Sequence, residues 1–94
     1  MDDSCHRETI TQQDNFIIIK LCLEKNATLP MHKSKGLTTI IPIKGNGILK
    51  VNGEIHPISP GVTVNLTPND EHLLSANTAL EVLVVEIIHV DEEK

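Results

Sequence analysis

The amino-acid sequence predicts an all-β domain that folds as an antiparallel sandwich or barrel. Much of its hydrophobic fraction of 39% is Ile and Val, whose branched side chains fit a pleated sheet better than a helix. Short apolar segments recur between clusters of Gly, Pro and Asn, and none shows a convincing helical period. A chain of 94 residues is long enough for one core. We therefore expect a single domain.

The first strand is expected at residues 16–24, in the segment FIIIKLCLE. Its odd positions are apolar and its other positions include Lys20 and Glu24, which is the period of a half-buried strand. Because side chains alternate between the two faces of a strand and the odd positions are taken to face the core, Cys22 is expected to point away from it. Residues 1–15 are polar and lack a clear period, so we interpret them as an arm that is mobile in isolation or pairs with a partner subunit.

The next strands are expected at residues 37–44 (LTTIIPIK) and 48–51. The Gly-Asn-Gly segment at 45–47 predicts a hairpin between them, because glycine tolerates positive φ. The Asn-Gly pair at 52–53 predicts a second tight turn. Pro42 removes one ladder hydrogen bond from its strand, so we expect a bulge near this residue.

Three more strands are expected after the second turn, at residues 62–66, 72–76 and 80–90. Clusters that contain Pro, Gly, Asn and Asp separate them and mark the turns. The barrel is therefore assigned to residues 16–90. Residues 91–94 follow it as an acidic, solvated tail.

Charge and composition exclude several classes of partner. A net charge of −5 and scattered lysines and arginines oppose the basic surface that nucleic-acid binding requires. The polar start lacks the features of a signal peptide, and no apolar run reaches the length of a membrane span. Cys5 and Cys22 form no recognisable motif, so we expect free thiols. These observations predict a cytoplasmic protein with no nucleic-acid or membrane partner.

Two histidines, His32 and His72, lie in separate strand-rich segments that glycines punctuate. Neutral imidazole is the commonest side-chain metal ligand, and it is a general base near neutral pH. The structural alternative is that His72 is a buried histidine hydrogen-bonded to a backbone carbonyl and that His32 lies at the rim. Ser34 and Thr38 share the parity of His32, so we expect their hydroxyls beside its ring. A Ser–His nucleophile would also need an orienting acid and an oxyanion hole, and the sequence indicates neither.

The segment around His32 resembles the first motif of the cupins, G-x5-HxH-x3-E-x6-G, a family of small jelly-roll barrels. With His32 as the first histidine, the closing glycine of the motif falls on Gly45. The opening glycine falls on Asn26, a residue that tolerates similar backbone geometry. The second histidine and the glutamate of the motif fall on Ser34 and Thr38.

The second cupin motif, G-x5-PxGxxH-x3-N, is matched at Gly61 and His72. Its proline and asparagine have counterparts one place late, at Pro68 and Asn77. This resemblance covers residues 16–90 and implies an antiparallel jelly-roll (cupin) barrel. It also implies a homodimer, in which a partner subunit covers open strand edges.

The resemblance further implies a metal site, of which this chain retains two imidazole ligands, His32 and His72. The other two ligand positions carry hydroxyls, which are poor substitutes for imidazole and carboxylate. Because zinc and non-haem iron sites usually have three protein ligands, a divalent ion such as Zn, Fe, Mn or Ni needs a further group. Asp70 and Glu86 are candidates for that carboxylate.

The leading hypothesis is a binding or sensing protein, or an accessory subunit, that holds a small molecule in the barrel pocket. The polar groups of that pocket are expected from His32, Ser34, Thr38 and His72. A first alternative is a metal-dependent enzyme of the dioxygenase or isomerase type, with His32 and His72 as metal ligands. A second alternative is a structural barrel that serves subunit association and keeps a residual pocket. Resemblance of fold names no substrate.

Overall fold

The computed structural model describes residues 4–31, 33 and 36–87, which consist of β-strands and their connections. The strands are β1 (Cys5–Gln12), β2 (Phe16–Leu23), β3 (Thr28–Met31), β4 (Leu37–Lys44), β5 (Gly47–Val51), β6 (Glu54–Ile58), β7 (Val64–Leu66), β8 (His72–Ala76) and β9 (Leu80–Ile87). These ranges contain no helix, and so none that could cross a membrane. The predicted all-β class is confirmed.

The described strands form two antiparallel sheets that share one core. The strand order is β1-β2-β9-β4-β7 in the five-stranded sheet and β3-β8-β5-β6 in the four-stranded sheet. Both sheets contribute large aliphatic side chains with almost no exposure, namely Ile40, Leu49, Ile58, Leu66, Leu74, Leu80 and Val82. Two facing sheets around one aliphatic layer are the arrangement expected of a jelly-roll.

The alternation in β2 determines which of its side chains face the core. Ile19, Leu21 and Leu23 are buried, whereas Cys22 on the other parity is half-buried. The predicted orientation of Cys22, away from the core, is therefore confirmed. Cys5 and Cys22 are both free thiols, also as predicted.

Residues 5–12 belong to the first sheet, whereas the sequence placed them in an arm outside the barrel. β1 pairs with β2 of the same chain, from Cys5 opposite Leu23 to Gln12 opposite Ile17. Its side chains are mostly exposed because it is the outer strand and covers little of the core. Backbone hydrogen bonds hold such an edge strand in place even though its sequence lacks an apolar period. The first sheet therefore begins with β1, before residue 16.

The predicted hairpin at residues 45–47 is wrong, because β4 and β5 belong to different sheets. This segment crosses from the first sheet to the second against the connection between β8 and β9. A β-carbon at Gly45 would collide with the carbonyl oxygen of Ala79, and one at Gly47 with that of Ser75. The glycines are needed here because two backbone segments approach closely, and not because a hairpin reverses the chain.

Other backbone predictions are confirmed. Asn52 and Gly53, with φ angles of +50° and +88°, form the two-residue turn between β5 and β6. The register between β4 and β9 shifts between Pro42 and Lys44, which is the expected bulge. Asn26 has a φ of +72°, so it adopts the left-handed geometry that a glycine would otherwise provide.

The last strand is described as far as Ile87. The predicted continuation of this strand at residues 88–90 and the acidic tail at 91–94 lie outside the described residues.

Candidate functional site

Of the four side chains predicted to form a pocket, the structure describes two, Thr38 and His72. His32 and Ser34 lie outside the described residues. Thr38 on β4 is 2% exposed and His72 on β8 is 5% exposed, and they are the buried polar residues of the described part of the chain. In both strands the residue that follows is more exposed and faces outward, so Thr38 and His72 point into the core.

Thr38 and His72 lie at the same end of the two-sheet core. Thr38 is directly opposite Leu66, the last residue of β7, in the first sheet. The short connection 67–71 then leads to His72, the first residue of β8, in the second sheet. The facing sheets therefore bring a hydroxyl and an imidazole to one end of an otherwise aliphatic interior.

The ring of His72 is fixed by the backbone. Its Nδ1 lies 3.2 Å from the carbonyl oxygen of Asp70. Because a carbonyl oxygen only accepts hydrogen bonds, this contact assigns the proton to Nδ1 and leaves a lone pair on Nε2. The same hydrogen bond is the one expected of a purely structural buried histidine, so geometry at His72 fits both interpretations.

The hydroxyl of Thr38 has a defined direction as well. It donates to the carbonyl oxygen of Gly36 over 3.3 Å, which leaves its oxygen lone pairs to accept. Thr38 and His72 in these states therefore present hydrogen-bond acceptors to the interior. Such a pair suits a cation or a group that carries N–H or O–H donors.

A carboxylate lies beside Thr38 on the neighbouring strand. Glu86 on β9 is the cross-strand partner of Thr38 and shares the parity of the buried residues Val82 and Val84. Glu86 is half-buried, and its partner on the other side is Ile17 of β2. Thr38, His72 and Glu86 are called the polar end of the barrel below.

Asp70, the other carboxylate considered as a metal ligand, has a different role. Its Oδ2 accepts from the N–H of Thr67 over 2.8 Å and from the Thr67 hydroxyl over 3.1 Å, and its Oδ1 accepts from Nδ2 of Asn52 over 2.8 Å. These hydrogen bonds fix the turn that precedes His72. The Thr67 N–H and the Asn52 amide hold the pKa of the Asp70 carboxyl below its ordinary value of 3.8.

We expect this turn to weaken in acid. Because the folded pKa of Asp70 is the lower one, its stabilisation is complete above pH 3.8 and is lost as the pH falls through the folded value. Urea unfolding midpoints of the wild type and Asp70→Asn, measured from pH 6 downward, should differ near neutral pH and converge in acid. A difference between the two proteins that stays constant with pH would contradict this role.

A separate open depression of about 590 Å³ lies on the outer side of the second sheet. Its lining includes the cross-strand pair Lys50 and Leu73, together with Lys33 and Glu71. Lys50 and Leu73 alternate with the buried residues of their strands, so they face outward. His72 also contributes to the lining, whereas Thr38 does not. Sequence reasoning missed this depression because its residues form no motif.

The described residues contain no group of three or more His, Cys, Asp or Glu side chains placed to hold a metal ion. The fit to a metal is therefore partial. His72 has the backbone-bound Nδ1 that is typical of metal-ligating histidines, whereas Thr38 offers no carboxylate. The side chain of His56 is 43% exposed, and its Nε2 lies 3.6 Å from a carboxylate oxygen of Glu54.

Comparison with known proteins agrees with the fold. No protein-family model matches the chain. L-ectoine synthase of Hyphomonas neptunium is 33% identical over 64 residues, which is 66% of this chain and 47% of that protein. The chain therefore spans about half the length of this curated relative.

Solved structures align over nearly the whole chain. An RmlC-like cupin protein from Desulfovibrio desulfuricans aligns with a TM-score of 0.85 and 22% identity, over 96% of this chain and 88% of that one. A cupin superfamily protein from Desulfitobacterium hafniense aligns with a TM-score of 0.86 and 11% identity, over 95% of this chain and 82% of that one.

The strand order, the shared core and the inward polar end define a small antiparallel jelly-roll barrel. This chain has the fold of the cupin superfamily, so the resemblance found in its two motifs is confirmed at the level of the fold. An activity does not follow from the fold alone.

Proposed function

We propose that this protein binds a small molecule inside the barrel, at the polar end. The observation that supports the proposal is the burial of Thr38 and His72 in a core that is otherwise aliphatic. Burial of polar groups costs free energy unless they find partners, and a ligand is a partner for Nε2 of His72. His32 and Ser34 belong to the proposed pocket on the basis of the motif spacing.

The proposed ligand is a small aliphatic compound that carries amine or hydroxyl groups. Nδ1 of His72 and the Thr38 hydroxyl donate to the carbonyl oxygens of Asp70 and Gly36, so Nε2 of His72 and the Thr38 oxygen are left to accept hydrogen bonds. A ligand with donors therefore satisfies them, whereas a neutral carbonyl compound does not. The aliphatic walls favour a body without aromatic rings, since one Phe leaves little surface for stacking.

Thermal unfolding with a panel of small amino and hydroxy compounds tests this proposal, and L-ectoine belongs in the panel because a relative is named for it. We expect at least one compound to raise the wild-type midpoint, by about 4–8 °C for each kcal/mol of binding free energy. His72→Ala should abolish that rise and Thr38→Val should reduce it. His56→Ala is the matched control, because its side chain is exposed.

Two outcomes of this experiment would contradict the proposal. One is a panel in which no compound raises the wild-type midpoint. The other is a compound that raises the midpoints of the wild type and His72→Ala equally, which would place its binding site elsewhere.

A metal-dependent enzyme of the dioxygenase or isomerase type is the second candidate, and the 33% identity to L-ectoine synthase favours it. His32 and His72 would then bind Zn, Fe, Mn or Ni. Elemental analysis of protein purified without chelator should give about one metal ion per chain, which His32→Ala and His72→Ala should each abolish. Metal-free wild-type protein would contradict this candidate.

We also propose a homodimer. Leu37 and Ile87 are exposed cross-strand partners on the outer face of the first sheet, and a second copy would cover such aliphatic side chains. Light scattering at micromolar concentration should give the mass of a dimer, and a monomer would contradict it. A tight oligomer that binds neither metal nor the compounds of the panel would favour the structural barrel.

A cytoplasmic location is the last part of the proposal. Cys5 and Cys22 are free thiols, which suits a reducing compartment. Recovery of the protein outside the cytoplasm after cell fractionation would contradict it.

A further inference from the structure

Asn52 connects the turn between β5 and β6 to the residues that precede His72. Its backbone N–H donates to the carbonyl oxygen of Glu71 over 2.7 Å. In its side chain, Oδ1 accepts from the N–H of Glu71 over 2.9 Å, and Nδ2 donates to Oδ1 of Asp70 over 2.8 Å. Asn52 therefore bonds to both residues of the Asp70–Glu71 pair. These three hydrogen bonds are called the Asn52 clasp below.

The clasp fixes the orientation of the peptide group between Asp70 and Glu71. That group contains the Glu71 N–H, which donates to Asn52, and the Asp70 carbonyl oxygen, which lies 3.2 Å from Nδ1 of His72. The described part of the chain has no cis peptide bond. In a planar trans peptide group the N–H and the C=O point in opposite directions. Holding the N–H toward Asn52 therefore holds the carbonyl oxygen toward the ring of His72.

We infer that Asn52 is a positioning residue for the interior site, because this peptide group keeps the proton of His72 on Nδ1. The hydrogen bond made by one ring nitrogen decides which of the two is protonated. If the peptide group turned over, an N–H would face Nδ1, and the proton would move to Nε2. Nε2 would then donate to a ligand and no longer accept from it. The inference rests on the proposed binding at the polar end and adds the residue that decides which ligands fit there.

The structural alternative is that Asn52 serves the turn alone. Its φ is +50°, which glycine adopts at no steric cost. Asn52→Gly therefore keeps the turn and removes the two side-chain hydrogen bonds of the clasp. Asn26→Gly is the matched control, because Asn26 also has a positive φ, of +72°. The backbone N–H of Asn26 donates to Ala76, which lies at the other end of β8 from His72.

Nitrogen-15 NMR of the His72 ring tests the inference, in protein without added compounds and at a pH at which the ring is neutral. The signals are identified by their loss in His72→Ala. In the wild type we expect Nδ1 to have the shift of a protonated nitrogen and Nε2 that of an unprotonated one. In Asn52→Gly the two shifts should move toward each other, because the ring then samples both tautomers. Asn26→Gly should keep the wild-type shifts.

The double variant Asn52→Asp with Asp70→Asn tests whether the hydrogen bonds matter more than the residue types. It places the amide donor at position 70 and leaves two carboxylate oxygens at position 52, which can accept from that amide and from the Glu71 N–H. The remaining amide oxygen at position 70 still accepts from the N–H of Thr67, as the carboxylate does in the wild type. We expect the ring shifts of the wild type, and averaged shifts in the folded double variant would contradict the inference.

Two further results would overturn the inference. One is a set of wild-type shifts in Asn52→Gly, and the other is a wild type whose ring already averages the two tautomers. A measurement on the wild type alone supports them: the Glu71 amide hydrogen should exchange slowly with solvent although Glu71 is exposed, and exchange as fast as in an unbonded amide would also overturn the inference. None of these measurements uses a ligand. A panel in which no compound binds would therefore contradict the proposed function and leave the role of Asn52 at His72 standing.

Discussion

Replacement of Gly45 by alanine should lower the free energy of unfolding by about 2–5 kcal/mol, from two separate causes. Gly45 has a φ of +81°, and an L-residue in the left-handed region costs about 1–2 kcal/mol. The added methyl group would also collide with the carbonyl oxygen of Ala79. That oxygen belongs to the backbone that connects β8 to β9, so it cannot move aside cheaply, and overpacking of this kind costs about 1–3 kcal/mol.

Gly53→Ala is the matched control for Gly45→Ala. Gly53 has a φ of +88°, and a β-carbon there would meet no atom within 4 Å. Only the conformational cost of about 1–2 kcal/mol should remain. Urea unfolding of the two variants measures the difference. Equal losses would mean that the backbone around Ala79 does not approach Gly45 closely where the chain crosses between the sheets.

Replacement of Leu49 by alanine should destabilise the barrel by about 2–5 kcal/mol, because it opens a cavity in a core that cannot fully collapse. Leu49 on β5 has no exposed surface, and its cross-strand partner Leu74 is equally buried. Its side chain fills the layer between the two sheets. The measurement is the difference in the free energy of unfolding between the wild type and Leu49→Ala in chemical denaturation.

Ile55→Ala is the control for the core substitution. Ile55 lies on the neighbouring strand β6 and is 62% exposed, so its truncation should change stability by no more than about 0.5 kcal/mol. If the two truncations had equal effects, the assignment of Leu49 to the interior and of Ile55 to the surface would be wrong.

Strands that bury one apolar face were predictable from the sequence, whereas three of the four edge strands of the described sheets, β1, β3 and β6, were not. The parity that faces the core is apolar at Ile17, Ile19, Leu21 and Leu23 in β2 and at Leu80, Val82 and Val84 in β9, and that period follows from one buried face. The fourth edge strand, β7, was predicted within residues 62–66. β3 contains Pro30 and β6 contains Pro57, and proline is tolerated at such edges because a ladder hydrogen bond is not required on both sides. Pro30 and Pro57 thus lie inside strands and not in turns.

The Gly-Asn-Gly segment shows a second limit of sequence reasoning. A glycine meets a need either for positive φ or for space, and one sequence cannot distinguish these causes. Gly45 has positive φ and also faces a backbone oxygen, whereas Gly47 has only the close approach. The hairpin was predicted from the first cause alone, and the packing against the β8–β9 connection decided the outcome.

The candidate site was only partly predictable. Motif spacing singled out Thr38 and His72, and the structure buries both. Glu86 was one of two candidate carboxylates in the sequence, but its place beside Thr38 depends on the register between β4 and β9, which lie far apart in the chain. Alternation along β9 already indicates that Glu86 and Glu81 lie on opposite faces of the strand. The residue opposite Glu86 is set by pairing with a distant strand, and local sequence patterns do not predict that pairing.

A crystal structure of the protein, grown with the panel compound that raises its unfolding midpoint by the largest amount, tests most directly whether the polar end forms one binding site. We predict electron density for that compound inside the barrel, within about 3.2 Å of Nε2 of His72 and of the Thr38 hydroxyl oxygen. Density found solely on the outer surface, for example in the depression beside Lys50 and Leu73, would contradict the proposal.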